Sequence, residues 1–86
     1  MAGVRARQAL EGAIFEVAQT AQSPAFRTTH ARAGCDDVVK ACEEARAWLG
    51  AAAGDTAAAR ITERAERLRR LLADAPPAPR GTGGEA

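Results

Sequence analysis

Between residues 4 and 22 the apolar residues Leu10, Ile14, Val17 and Ala21 recur at steps of +4, +3 and +4. That spacing stacks them on one stripe of an α-helix, and it predicts a helix over Val4–Gln22. Val4 and Phe15 fall outside the stripe, more than about 90° around the helix axis at 100° per residue. A helix that buries the Leu10 stripe in its own fold leaves Phe15 outside. Two apolar faces on one helix imply two neighbours, one of which can be another chain.

Ser23-Pro24 restarts the chain, because Ser caps a helix N-terminus well and Pro is pre-set for the first helical position. A short helix over Pro24–Ala33 groups Phe26, His30 and Ala33. Continued at 100° per residue, that stripe meets Asp37 and misses Val38, Cys42 and Ala45. The stripes do not join, so a break is expected, with Gly34 as the terminating residue and Asp36 or Asp37 as the cap of a new helix. This next helix, Asp37–Ala53, has the stripe Val38, Cys42, Ala45, Leu49 and Ala52, flanked by Ala41 and Trp48. Lys40 and Glu44 form an i,i+4 pair on its outer side. Gly54 ends it and Asp55 caps the last helix, expected over Thr56–Asp74. There Ala57, Ile61, Ala65, Leu68 and Leu72 line one stripe, and Leu71 widens it. Glu63–Arg67 and Glu66–Arg70 are i,i+4 pairs in the favourable order, and Pro76-Pro77 stop the helix.

The pattern therefore predicts an all-α chain. Residues 1–74 form a small antiparallel three-helix bundle with a short extra helical turn near 24–33. Residues 75–86 form a Pro/Gly-rich disordered tail, since such a segment buries too little to fold. Small residues on every stripe allow the helix axes to approach closely.

Composition adds a constraint. Alanine fills 23 of the 86 positions, Tyr is absent, Phe occurs twice and Trp once. Fourteen large apolar side chains (Val, Leu, Ile, Phe and Trp) are left to close a core. Chains of this size fold near the margin of stability, and burial against a second surface is the natural remedy. The formal net charge of +1, with Arg outnumbering Lys 11 to 1, argues against a polyanion binder driven by bulk charge. No apolar run comes after the basic start, so no signal peptide is expected, and Glu11 and Glu16 argue against a transit peptide. No apolar stretch is long enough to span a membrane. Two cysteines make no disulfide framework, and the expected setting is cytoplasmic.

Candidate chemistry is sparse. His30, Cys35, Asp36 and Cys42 are the residues nearest to a metal set. They lack the paired short spacings of zinc sites, so neither a metal nor another cofactor is expected. Cys42 reads as a small core residue. Cys35 reads as a loop cysteine, near a helix N-terminus that favours the thiolate and beside Asp36 and Asp37, which oppose it. His30-Ala31-Arg32-Ala33-Gly34 resembles, in His30 and Gly34 alone, the phosphoacceptor helix of histidine phosphotransfer domains. Ala33 stands where that family has Lys, and the resemblance is not adopted. Arg60, Arg64, Arg67 and Arg70 make a basic edge on the last helix, interrupted by Glu63 and Glu66 and without an aromatic residue to stack on a base. Phosphate-loop and nucleophile-elbow motifs are absent, there is no second His, and adjacent acidic pairs diverge on a helix.

These observations point to a non-enzymatic helical protein–protein interaction module, a homodimer or a small subunit or adaptor of a larger assembly. The alternative is a small nucleic-acid-binding regulator using the arginine edge. The expected docking residues are Val4, Phe15 and Trp48, with Leu71 at the margin, because large apolar anchors dominate interfaces.

Overall fold

The structure is a computed structural model that describes residues 2–52 and 57–79. Four helices succeed one another: α1 over Ala2–Gln22, α2 over Pro24–Thr29, α3 over Arg32–Ala51 and α4 over Ala58–Ala73. Three are long, and they form the bundle that the apolar stripes require. Arg7, near the start of α1, reaches the Leu49 carbonyl near the end of α3, so these two helices run antiparallel. Glu16 of α1 pairs with Arg69 of α4 at 3.1 Å, and α4 runs in the direction of α1. The expected connections at Gly54, Asp55 and Thr56 lie outside the described residues.

Most of the core comes from the predicted stripes; Ala6 and Ala13 join it from outside them, and Leu72 is only partly buried against it. From α1 it takes Ala6, Leu10, Ala13, Ile14, Val17 and Ala21; from α3, Val38, Cys42, Ala45 and Leu49; from α4, Ile61, Ala65 and Leu68. Five of these thirteen residues are Ala, which lets axes approach closely where larger side chains would hold them apart. Among the described residues no polar or charged side chain is buried. The buried interior is thus fitted by packing shape, with polar contacts between helices kept to its margins. Ala52 and Ala57 differ from expectation: they are the C-cap of α3 and the N-cap of α4, one half-buried and the other exposed.

The restart at Ser23 is built as its chemistry requires. Ser23 has extended backbone (φ −72°, ψ 145°), and the Phe26 amide donates to its Oγ at 3.2 Å. The helix break does occur, but not at Gly34. It lies at His30–Ala31, so α3 starts about five residues earlier than the caps Asp36 and Asp37 would have it. Three features stop α2 here. The Thr28 and Thr29 hydroxyls donate back to the carbonyls of Pro24 and Ala25, bonds that bend or end a helix. The His30 ring stacks on Phe26 at 3.7 Å. The third feature comes from far along the chain.

That feature is the start of the expected tail. Residues 75–79 return along the junction of α2 and α3. The Ala31 amide donates to the Pro76 carbonyl at 3.0 Å, and the Ala78 amide donates to the Thr29 carbonyl at 2.9 Å. His30 and Pro77 thereby form an isolated antiparallel bridge. Gly34, in the first turn of α3, is where this strap lies closest: a Cβ at position 34 would sit 2.9 Å from Pro76 Cδ. Glycine is needed here for space rather than to end a helix. The rest of the expected tail, residues 80–86, lies outside the described residues.

The strap makes a measurable prediction. In an open helix Ala is favoured over Gly by about 1 kcal/mol. Gly34→Ala should give no such gain in the full chain, because the new methyl displaces Pro76. In a chain ending at Ala75 the gain should appear, up to about 1 kcal/mol in urea denaturation. Equal stabilisation in both backgrounds would refute the contact.

Candidate functional site

Helix α1 turns one face to α3 and α4 and the opposite face to water. Its inward arc is filled, so Phe15 projects away from the core and is 63% exposed. Val4 (55%) is exposed on the same helix, and Leu71 (38%) on α4. Val4, Gln8, Gly12, Phe15, Gln19 and Gln22 recur at steps of 4, 4, 3, 4 and 3, and all six are exposed. At 100° per residue they share an arc of roughly 80°, and none is charged.

Beside this stripe runs an open groove between α1 and α3. One depression of ≈ 430 Å³ lies between Arg7, Glu11, Ile14 and Phe15 on α1 and Arg46, Leu49 and Gly50 on α3. A second, of ≈ 310 Å³, lies between Phe15, Ala18, Gln19 and Gln22 and the α3 residues Val39, Cys42, Glu43 and Arg46. The two share Phe15 and Arg46 and are together called the α1–α3 trough. Its lining is mixed, with apolar side chains beside two glutamines and a rim of two arginines and two glutamates. Arg7 is held in place by its 3.0 Å bond to the Leu49 carbonyl, which also accepts from the Ala52 amide at 3.3 Å where α3 ends.

The expected docking residues are divided between two places. Phe15 lines the α1–α3 trough. Leu71 lines a depression of ≈ 280 Å³ between α3 and α4, with Ala41, Ala45, Arg64 and Leu68 among its walls. Trp48 packs against the core, with the Arg64 guanidinium 4.4 Å from its ring centroid. A cation over an indole face is a favourable pairing, and it makes Trp48 part of the bundle's own packing.

The basic edge is partly occupied in the same way. Arg64 lies on Trp48, Arg67 reaches Glu63 at 4.0 Å, and Arg69 pairs with Glu16. Arg60 and Arg70 are exposed. Of the three i,i+4 pairs expected, Glu63–Arg67 is the one within ion-pair distance among the described residues.

The cysteines correct one expectation. Cys35 is no loop residue: the early start of α3 places it inside the helix, fully buried, one turn before Val38. Cys42, seven residues on, lies on the same buried side, and both are free thiols. Asp36 pairs outward with Arg27 at 3.2 Å, and His30 stacks on Phe26 with Nδ1 3.0 Å from the Phe26 carbonyl. Among the described residues no three His, Cys, Asp or Glu side chains are grouped to hold a metal ion. His30 stands in the bridge between helices, in contrast to a phosphoacceptor on a helix face.

The buried stripes give no hint of the trough, because its rim residues Arg7, Glu11, Glu43 and Arg46 belong to none of them. The available signal was the run of uncharged residues on the outer face of α1.

Burial pushes the Cys42 thiol above its ordinary value of 9.0; nearby Arg46 opposes this and Glu43 adds to it. A raised value means that folding favours the protonated thiol. The stabilisation is complete below pH 9 and is lost as pH rises from there through the folded value. Unfolding free energy should therefore decline above pH 9, and Cys42→Ala should flatten that decline in urea titrations on either side of it. An unchanged slope would show that Cys42 is not the group responsible.

No helix among the described residues is long and apolar enough to cross a membrane. Comparison with protein families, with curated proteins and with solved structures finds no match to this chain.

Proposed function

We propose that this chain is a non-enzymatic helical protein–protein interaction module, working as a homodimer or as a small subunit or adaptor of a larger assembly. The observation that carries this reading is Phe15, 63% exposed at the centre of a trough walled by two helices. Burying a Phe side chain is worth about 1.5–3 kcal/mol, and most of that is unrealised in the single chain. A lone exposed apolar residue is ordinary on a protein surface. Phe15 differs because its stripe carries no charge and the ground on both sides of it is concave. Large aromatic residues are enriched among the side chains that anchor protein interfaces.

The arginine edge gives less support to nucleic-acid binding. Arg64 is engaged by Trp48 and Arg67 by Glu63, and Arg69 is paired with Glu16 across the bundle.

The test places a photo-crosslinking residue, p-benzoylphenylalanine, at position 15 in living cells, with exposed Thr62 of α4 as the control position. A protein adduct at position 15 and none at position 62 is expected. No adduct at position 15 sinks the proposal.

A further inference from the structure

We infer that the α2–α3 junction is a binding site for an extended peptide of the pattern Pro-Pro-Xaa, with Xaa any residue but proline, and that Pro76, Pro77 and Ala78 occupy it in cis as a built-in ligand. This face is separate from the trough, and the site stands whether or not Phe15 meets a partner.

The junction offers an edge. His30 (φ −128°, ψ 152°) and Ala31 (φ −61°, ψ 137°) are extended, between a helix that has ended and one that has not begun. Backbone of this kind presents groups with which a second extended segment can pair. The strap runs antiparallel to it, with Pro77 opposite His30. The hydrogen bonds lie on either side of that pair, from the Ala31 amide to the Pro76 carbonyl and from the Ala78 amide to the Thr29 carbonyl. In such a pair the two opposed residues exchange no bond with each other.

The order of residues in the strap follows from that pattern. Position 77 belongs to the non-bonded pair, so its nitrogen faces away and a proline there forfeits nothing. At position 76 an amide would point at the Ala31 carbonyl, which already accepts from the Cys35 amide at 3.1 Å. Proline removes that surplus donor. Its ring also fills the space that Gly34 leaves, with Cδ and Cγ 2.9 and 3.3 Å from where a Cβ at position 34 would stand. Position 78 is the one that donates, and of the three it is the one that is not proline. Composition alone does not place the alanine there.

The strap is held as a ligand is held. None of the thirteen core residues belongs to it, and Pro76 and Pro77 are exposed. Two backbone hydrogen bonds and a ring contact seat positions 76–78, and a Pro-Pro-Xaa segment of another protein can make the same contacts in their place. The class of partner is thus a protein that carries this pattern in an extended stretch.

The experiment uses the full chain, with amide hydrogen exchange followed by NMR. Ala78→Pro deletes the strap's donor and should speed exchange of the Ala31 amide by about tenfold or more, with helix content unchanged in circular dichroism. Pro77→Ala should leave that rate near the wild-type value. The capped peptide of residues 75–79, added to the Ala78→Pro chain, should restore protection saturably at millimolar concentration, the range in which a short tether acts. The same peptide carrying Ala78→Pro should not. An Ala31 amide as well protected in the Ala78→Pro chain as in wild type would show the register to be wrong. A peptide that restores nothing, or an Ala78→Pro chain that loses its helices, would make the strap a fixed part of the fold and overturn the inference.

Discussion

Close packing through alanine is the constraint on which the rest of this molecule depends. Ala6, Ala13 and Ala21 on α1 share with Ala45 and Ala65 of the neighbouring helices a core that buries no polar side chain among the described residues. With so few large apolar residues, contact area comes from bringing backbones together rather than from long side chains reaching across a gap. The inward arc of α1 is consequently full. Phe15 cannot turn inward without displacing Leu10 or Ile14, because positions on one helix keep their angular places. The exposure of the largest residue of α1 is a direct consequence of how its other face packs.

The same economy operates at the far end of the bundle. α2 is too short to hold itself and buries no residue of its own. It is fixed by the Ser23 cap, the Phe26–His30 stack and two backbone hydrogen bonds from the strap after α4. The strap closes a loop between the last helix and the α2–α3 junction, and Gly34 leaves the room that Pro76 occupies. Pro suits the role because its fixed φ reduces the entropy lost when the segment is ordered.

Charge is divided unevenly over the surface. The outer side of α4 is dense with Arg and Glu, and several of these are spent on Trp48, on one another or on Glu16. The outer stripe of α1 is uncharged, and its border with α3 is concave and balanced in sign. Exposed helix faces of water-soluble bundles ordinarily carry charge. On that stripe Phe15 projects into water, and the charges on the border beside it cancel.

Much of this was legible in the sequence. The stripes Leu10–Ala21, Val38–Leu49 and Ile61–Leu68 are local patterns, fixed by the helical repeat, and they specify three long helices and most of the core. The Ser23 cap and the outward position of Phe15 arise from the same local geometry. What only the tertiary structure decided involves residues distant in sequence. The break between α2 and α3 fell at His30–Ala31 because Pro76 and Ala78 supply hydrogen bonds there, so Gly34 and Cys35 joined α3 instead of a loop. Trp48 became part of the core packing because Arg64, on another helix, lies over its ring. The trough is lined by α1 and α3 together, so neither helix alone contains it. A repeat along one helix determines which way each side chain points; which neighbour it then meets depends on where separate helices come to rest.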